Sequence, residues 1–155
     1  ELYNRETIES QIDNEITLSE ARKSEMAVLF IDVDDFKHYN DQYSHATGDQ
    51  VLKFVARTIK GTVNEFGFAG RYGGDEFIAC IRNAEINDPT RAAQDIISKL
   101  EEGFECDGVH LTVSVSIGIS MIKDDYNTRV EYIIGKADDA MYSVKKNGKS
   151  NYAFI

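Results

Sequence analysis

Residues 71–77 read Arg-Tyr-Gly-Gly-Asp-Glu-Phe, and this heptapeptide carries the strongest structural and chemical signal of the chain. The glycine pair stands between two strand-like segments, residues 68–72 and 77–81. Two glycines between strands predict a tight β-hairpin, because glycine adopts the positive φ that the favoured turns require. Two carboxylates, Asp75 and Glu76, follow the glycines directly. They are either solvated acids beside a hairpin or one side of a metal or nucleotide site, since glycine lets a ligand approach the backbone.

The composition is that of a single soluble domain over residues 1–155, with 42% hydrophobic and 28% charged residues. No apolar run approaches the ~20 residues that cross a bilayer, and no signal-peptide pattern opens the chain. We therefore expect a cytoplasmic domain that makes no membrane contact itself, even if a longer protein containing it is membrane-tethered.

The net charge of −10 argues against a nucleic-acid backbone or an anionic membrane as partner. A phosphate ligand on so acidic a protein needs bridging cations, and paired carboxylates are the usual ligands of Mg²⁺. The charge therefore favours metal-dependent nucleotide chemistry. The two cysteines indicate neither a disulfide framework nor a metal site, with Cys80 in a predicted core strand and Cys106 in a predicted loop.

Hydrophobic periodicity predicts an amphipathic helix over residues 6–22, followed by the order β-α-α-β-β-α-β-α-β. The nearly unbroken apolar run Met26–Val33 predicts a central strand that is buried on both faces. The fold class is α/β (α+β), with a central mixed, mostly antiparallel five-stranded sheet flanked by helices. The other predicted segments are helices near 35–43, 50–63, 89–102 and 130–145, a loop through Gly48, strands within 109–121 and 151–155, and a helix C-cap at Gly148.

Three acids, Asp32, Asp34 and Asp35, cluster at the end of the predicted central strand. Side-chain alternation places Asp32 and Asp34 on one face of the strand and Val33 on the other. One interpretation is that Asp34 or Asp35 is the N-cap of the following helix. That interpretation leaves Asp32 unexplained, because its charge is costly to bury unless it is paired or bound to a metal. A hairpin beside this strand would bring Asp75 close to Asp32.

Taken together, these motifs resemble the GGDEF family. The matching residues are, in chain order, Leu2-Tyr3-Asn4-Arg5, Asp32-Val33-Asp34-Asp35-Phe36-Lys37, Asn40-Asp41, Tyr43-Ser44-His45, Gly48-Asp49, residues 71–77, Val115-Ser116-Ile117-Gly118 and residues 137–148. The match covers nearly the whole chain. Members of this family are bacterial signal-transduction enzymes, diguanylate cyclases that condense two GTP into cyclic di-GMP. The resemblance implies this activity and a fold similar to the palm domain of nucleotidyl cyclases.

The resemblance also implies a site for Mg²⁺ or Mn²⁺. Asp32 would coordinate the cation by its side chain and Val33 by its carbonyl oxygen, with Asp75 as a second carboxylate ligand and Glu76 as a further metal-associated acid. Asp75 is also the implied acceptor of the 3′-hydroxyl proton, so Asp75 and Glu76 are the expected catalytic pair. Because adjacent strand residues point to opposite faces, Asp75 has the stronger claim to direct coordination.

The implied nucleotide site reads guanine through Asn40 and Asp49, since a carboxylate accepts from the N1–H and the exocyclic amine. Lys37 and Lys145 would neutralise the β- and γ-phosphates as point charges. His45 either lies near the nucleotide or packs between a helix and a loop. Phe36 packs under the base or in the core, and Arg71 supports the hairpin. The expected substrate-binding residues are Phe36, Lys37, Asn40, His45, Asp49, Gly73, Gly74, Lys145 and Lys149.

The sequence departs from the family pattern at several places. Ser44 replaces a glycine, and Lys149 stands where the family has an arginine, which keeps the charge but loses the bidentate geometry. Residues 64–67 read Asn-Glu-Phe-Gly in place of the inhibitory Arg-x-x-Asp segment, so we expect no product inhibition there. The chain begins inside the family's N-terminal motif, and we expect it to be part of a longer protein with an upstream sensory or dimerisation region.

One domain holds one GTP, so the implied active unit is a homodimer in which two nucleotides face each other. A catalytically weak module that binds GTP or cyclic di-GMP is the alternative, although the acids and glycines are all present. A palm-domain nucleotidyl cyclase with another product is a third possibility. Asp49 argues against it if this residue selects guanine.

Overall fold

A five-stranded sheet with helices on both faces makes up residues 2–155, the part of the chain that the computed structural model describes. The helices are α1 Arg5–Arg22, α2 Phe36–Gln42, α3 His45–Val63, α4 Pro89–Glu102 and α5 Val130–Lys146. The strands are β1 Met26–Val33, β2 Gly67–Arg71, β3 Glu76–Arg82, β4 Phe104–Cys106, β5 Val109–Leu111, β6 Val115–Ile122 and β7 Tyr152–Phe154. The sheet order is β2-β3-β1-β6-β7, and within it only β6 and β7 pair in parallel. The predicted mixed, mostly antiparallel sheet is confirmed.

Strand β1 is the centre of the sheet and contributes to two hydrophobic cores. Val28 and Phe30 pack with residues of α1 and α5 on one face, whereas Leu29 and Ile31 pack with residues of α3 and α4 on the other. Alternate side chains of a strand point to opposite faces, so a strand covered by helices on both sides must be apolar at every position. This burial explains why Met26–Val33 is an almost unbroken apolar run until Asp32.

The β2–β3 hairpin lies beside β1, as the sequence predicts, but its turn differs from the predicted one. β2 ends at Arg71 and β3 begins at Glu76, so residues 72–75 connect the strands. The amides of Tyr72 and Gly73 both donate to the carbonyl oxygen of Glu76, over 2.8 and 3.2 Å. Neither Gly73 nor Gly74 has a positive φ. The two-residue turn was therefore a wrong prediction, and Gly73 is needed to leave space for the Glu76 carboxylate rather than for a left-handed backbone.

Helix α3 begins earlier than the sequence predicts. The hydroxyl of Ser44 accepts a hydrogen bond of 3.1 Å from the amide of Thr47, which makes Ser44 the N-cap. Serine is a favoured N-cap because its oxygen satisfies an amide that has no partner inside the helix. Gly48 consequently lies within the helix and not in a loop, and Asp49 lies in its second turn.

A short hairpin, β4–β5, precedes β6 and was missed in the sequence. Its turn is Asp107-Gly108, with φ values of 50° and 81°. An Asp-Gly pair with two positive φ angles is a strong local hairpin signal. Cys106 ends β4 and is buried, so its placement in a loop was wrong, whereas Cys80 is a core residue as predicted. No helix within residues 2–155 is both long enough and apolar enough to span a bilayer.

Candidate active site

A cleft of about 390 Å³ lies between α2, the first turns of α3 and the β2–β3 turn. Its lining residues are Phe36, Lys37, Asn40, His45, Asp49, Leu52, Arg71, Gly74 and Asp75. Most of the residues predicted to contact substrate or to catalyse therefore share one cavity. His45 is exposed in this cleft, which does not support its interpretation as a packing residue. Leu52 was not predicted, although it lies one helical turn after Asp49 and its position could have been inferred from that spacing.

The position of Asn40 depends on Gly48. A Cβ atom built at Gly48 would collide with Oδ1 of Asn40 and would lie 3.3 Å from Cζ of Phe36. Gly48 is buried, so a side chain there has no other direction to take. The absence of a side chain at Gly48 thus makes room for the Asn40 amide and the Phe36 ring in the cleft that also contains Asp49.

Arg71 holds the turn between β2 and β3 from within the cleft. Its Nε donates to the carbonyl oxygens of Gly73 and Gly74, both over 3.2 Å, and its Nη2 donates to Gly74 over 2.6 Å. A Cβ atom at Gly73 would collide with the carboxylate of Glu76, whereas one at Gly74 would meet nothing within 4 Å. Gly74 therefore presents bare backbone to open space beside Asp75. Arg71 supports the hairpin as expected, and it also lines the cleft.

The remaining metal and phosphate candidates converge at the end of β1. The Nζ of Lys145 lies 3.5 Å from Oδ2 of Asp32 and donates to the carbonyl oxygen of Val33 over 3.3 Å. The amide of Val33 in turn donates to the carbonyl oxygen of Asp75 over 3.1 Å. The backbone thus joins the end of β1 to the turn that lines the cleft, and the two sets of residues adjoin each other.

Asp32 and Glu76 are directly opposite each other in the antiparallel pairing of β1 and β3. Residues paired in this way point to the same face of a sheet. Glu76 therefore lies on the face of Asp32, whereas Asp75 belongs to the turn and the cleft. This register does not support the expectation that Asp75 coordinates a metal more directly than Glu76. That expectation used the alternation of side chains along one strand and left out the pairing of that strand with β1.

The electrostatics of the site reflect its crowded acids. Burial raises the pKa of Asp32 to about 7, with Lys145 opposing this shift and with Asp75 and Glu76 adding to it. Burial also raises the pKa of Glu76, to which the charges of Asp75 and Asp138 contribute further. Acids that are buried near one another resist ionisation until a cation compensates their charge. The site therefore favours a positively charged ligand.

Asp34 was interpreted as a possible N-cap, and the structure contradicts this. Its carboxylate is buried and accepts hydrogen bonds from the hydroxyls of Ser114 and Ser116, over 2.5 and 2.7 Å, and from the amide of Ser150 over 3.1 Å. The Nζ of Lys145 lies 3.1 Å from Oδ1 of Asp34. Although burial opposes it, these hydrogen bonds lower the pKa of Asp34. Sequence reasoning missed this role because the partners are remote along the chain.

Asp35 occupies the N-cap position of α2, but its side chain makes no capping hydrogen bond and its φ is 52°. The carboxylate instead pairs with Nζ of Lys149, over 2.9 and 3.1 Å. The predicted N-cap position is therefore confirmed for Asp35, although its side chain does not cap the helix. Lys149 lies outside the cleft lining in this arrangement, at the turn that follows α5.

The residues present fit a divalent cation. Oδ1 of Asp32 is buried without a hydrogen-bond partner among residues 2–155, and a carboxylate oxygen of this kind is costly unless a cation meets it. The carbonyl oxygen of Val33 and the carboxylate of Glu76 supply further hard oxygen donors of the type that Mg²⁺ prefers. Within the described part of the chain, no group of three or more His, Cys, Asp or Glu side chains is already spaced as a complete metal site. The fit rests on the carboxylates of Asp32 and Glu76 and on the carbonyl oxygen of Val33.

Comparisons with known proteins agree with this geometry. A family model described as "Diguanylate cyclase, GGDEF domain" matches residues 1–151. Diguanylate cyclase A of Treponema denticola is 38% identical over 136 residues, which cover 87% of this chain and 36% of that protein. The chain therefore spans about a third of the length of this curated relative.

Solved structures agree in fold over nearly the whole chain. The GGDEF domain of PA1120 (YfiN or TpbB) from Pseudomonas aeruginosa is 31% identical, with a TM-score of 0.92 over 99% of this chain and 96% of that one. The GGDEF domain of DgcB from Caulobacter crescentus, solved in complex with c-di-GMP, is 25% identical, with a TM-score of 0.90 over 99% and 91% of the two chains. The family match, the sheet order and the grouping of the motif residues lead to one conclusion: this chain belongs to the GGDEF family of diguanylate cyclase domains.

Proposed function

We propose that this chain is the catalytic domain of a diguanylate cyclase, which condenses two GTP into cyclic di-GMP and releases pyrophosphate. The observation that carries the proposal is the hydrogen bond from the Val33 amide to the Asp75 carbonyl, because it joins the cleft to the acids of β1. We further propose that the domain is the catalytic part of a longer, sensor-linked protein and acts in the cytoplasm, where GTP is available.

Guanine recognition is assigned to the cleft of about 390 Å³. The Asp49 carboxylate would accept from the N1–H and the exocyclic amine of guanine, and the Asn40 amide can both donate to and accept from the base edge. Phe36 offers an aromatic wall beside them. A site whose polar groups pair with the substrate discriminates against a base that leaves them unpaired. The cleft therefore supports selection of guanine over adenine.

The triphosphate would extend from the base toward the end of β1. Lys37 lines the cleft, and Lys145 lies at the carbonyl oxygen of Val33, so two ammonium groups are available for the phosphate oxygens. A divalent cation held by Asp32, Val33 and Glu76 would offset the negative charge that develops on the transferred phosphoryl group. Lysine charges on both sides of the phosphates then keep the α-phosphorus in place.

Asp75 is assigned the role of proton acceptor. Its carboxylate would accept the proton of the 3′-hydroxyl while the hydroxyl oxygen forms a bond to the α-phosphorus of the facing GTP. The bond from that phosphorus to the bridging oxygen of the β-phosphate breaks, and pyrophosphate leaves. The 3′-hydroxyl of the second nucleotide attacks the α-phosphorus of the first in the same way and closes the ring. One cyclic di-GMP and two pyrophosphates form. Two domains must face each other, which makes a homodimer the expected active unit.

The test is product analysis with an enforced dimer. The chain, fused to a parallel coiled-coil dimerisation segment, is incubated with GTP and Mg²⁺, and its products are separated by chromatography. We expect cyclic di-GMP and pyrophosphate in a ratio of one to two, and no cyclic product from ATP. Binding of GTP without any product would contradict the proposal and favour a regulatory nucleotide-binding module.

A further inference from the structure

We infer that the buried carboxylate of Asp34 is a positioning residue that holds Lys145 where its ammonium group meets the phosphates of the bound nucleotide. The inference rests on the proposed function, because the nucleotide supplies those phosphates. Asp34 does not itself line the nucleotide cleft. Its effect on the reaction would act through Lys145.

The contacts of Asp34 come from three separate parts of the chain. Ser114 and Ser116 donate their hydroxyls from the beginning of β6, and Ser150 donates its amide from the segment after α5. Lys145, near the end of α5, provides the only ion pair within 4 Å that Asp34 forms among residues 2–155. A carboxylate with this many partners is fixed in one orientation, and it ties the end of α5 to the end of β1.

Lys145 has three neighbours, and Asp34 is the one that can serve as its anchor. The side chain of Asp34 is 2% exposed and lies 3.1 Å from Nζ, whereas that of Asp32 is 17% exposed and lies 3.5 Å away. Asp32 also keeps one oxygen without a hydrogen bond, while Asp34 is saturated by donors. Asp32 thus has an oxygen that can bind a ligand, whereas both oxygens of Asp34 are occupied by donors of the protein. A flexible lysine needs such a partner to hold one position.

The segment after α5 supplies a further argument. Lys149 and Ser150 have φ values of 64° and 48°, a left-handed conformation that disfavours side chains. The hydrogen bond from the Ser150 amide to Asp34 and the ion pair of Lys149 with Asp35 hold this strained turn. Because the turn directly follows the helix that carries Lys145, Asp34 fixes both the lysine and the chain behind it.

The experiment compares two ligands that cannot react, 3′-deoxy-GTP and 3′-deoxyguanosine, by calorimetric titration of the intact chain with Mg²⁺. Only the first carries phosphates. We expect Asp34→Asn to weaken 3′-deoxy-GTP binding about 10-fold, since hydrogen bonds to charged groups are worth about one power of ten or more in affinity. Binding of 3′-deoxyguanosine should change less than about 2-fold. Lys145→Ala should reproduce this pattern.

The double variant, Asp34→Asn with Lys145→Ala, separates positioning from a general structural effect. If Asp34 acts through Lys145, the double variant binds 3′-deoxy-GTP no more weakly than Lys145→Ala alone. Additive losses would overturn the inference. Ser116→Ala, which removes one hydroxyl from Asp34 and keeps its charge, provides a milder variant. It should weaken 3′-deoxy-GTP binding about 3-fold without affecting the nucleoside, and unchanged triphosphate binding would overturn the inference.

Glu15, in α1, provides a matched control on another part of the molecule. It is a buried carboxylate that pairs with Arg82 over 2.8 Å and accepts from Ser19 over 3.3 Å. Glu15→Gln should lower stability and leave unchanged the ratio of the affinities for 3′-deoxy-GTP and 3′-deoxyguanosine. A change of this ratio as large as that caused by Asp34→Asn would overturn the inference. A wild-type chain that does not prefer the triphosphate would overturn the proposed function together with the inference. A wild-type preference combined with additive losses would overturn the inference alone.

Discussion

The amide of Val33 and the carbonyl oxygen of Asp75 are joined by a hydrogen bond of 3.1 Å between the end of the central strand and the hairpin turn. This backbone contact fixes the position of Asp75 relative to Asp32 without using either carboxylate. Neither carboxylate is therefore needed to hold the turn beside β1. A change that moves the turn should alter catalysis even where it removes no charged group.

Asp32→Asn is expected to stabilise the metal-free protein above neutral pH. Burial raises the pKa of Asp32 from 3.8 to about 7, so the folded state binds the proton more tightly than the unfolded state. The associated stability is present at low pH and is lost as the pH rises through about 7. Asparagine carries no charge at any of these values, so we expect a gain of about 1–3 kcal/mol at pH 8 and little change at pH 4. Urea unfolding in the presence of a chelator measures the free energy of unfolding at both pH values. A loss of stability at pH 8 would contradict the burial argument.

Gly48→Ala is expected to impair nucleotide binding, and Gly61→Ala in the same helix is its control. A Cβ atom at Gly48 collides with Oδ1 of Asn40, whereas one at Gly61 meets nothing within 4 Å. Gly61→Ala should stabilise the protein by about 0.5–1 kcal/mol, because alanine loses less backbone entropy in a helix. Gly48→Ala should weaken 3′-deoxy-GTP binding about 10-fold by displacing the amide that we assign to base recognition. Unchanged affinity would show that Asn40 does not need its present position.

Gly118→Ala is expected to destabilise the fold where β6 meets α5. A Cβ atom there would collide with the carbonyl oxygen of Ala137 and with the amide nitrogen of Met141, both backbone atoms that cannot move freely. Overpacking of this kind costs about 1–3 kcal/mol. Gly135→Ala, in α5 with nothing within 4 Å, should not be destabilising. Thermal unfolding of the two variants provides the comparison, and equal melting temperatures would be inconsistent with this packing.

Arg71→Ala is expected to impair product formation chiefly through the rate of the reaction and less through the stability of the fold. Arg71 donates three hydrogen bonds to the glycine carbonyls of the turn, and its loss frees the segment that carries Asp75. We expect a kcat lower by about 10-fold or more, as misplacement of a reacting group costs rate steeply. Arg91→Ala, an exposed arginine of α4, is the control. Steady-state assays of the enforced dimer measure both, and equal kcat values would refute the assigned role.

Local signals in the sequence predicted the framework well. The bounds of β1 followed from its apolar run, and α4 followed from the Asn-Asp-Pro stop that precedes it. The start of α3 and the β4–β5 hairpin were missed, although Ser44 and Asp107-Gly108 carried local signals for them. The turn of the β2–β3 hairpin could not be derived, because Gly73 is required by the space around Glu76 and not by a backbone angle.

The candidate site was predicted where its residues form short motifs and missed where it depends on remote contacts. The cleft residues of α2, α3 and the hairpin turn come together as the motifs imply. Asp34 was misinterpreted because its partners lie 80, 82 and 116 residues away along the chain. The pairing of Asp35 with Lys149 spans 114 residues in the same way. Neither spacing nor periodicity reports on such contacts.

The most direct measurement of the central claim is the rate of cyclic di-GMP formation by Asp75→Asn in the enforced dimer, with Asp95→Asn on the exposed face of α4 as the matched control. If Asp75 accepts the 3′-hydroxyl proton, Asp75→Asn should lower the rate by about 10²–10⁴-fold, while 3′-deoxy-GTP binding stays within a few-fold of wild type. Asp95→Asn should retain the wild-type rate. Product formation by Asp75→Asn at the wild-type rate would contradict the account.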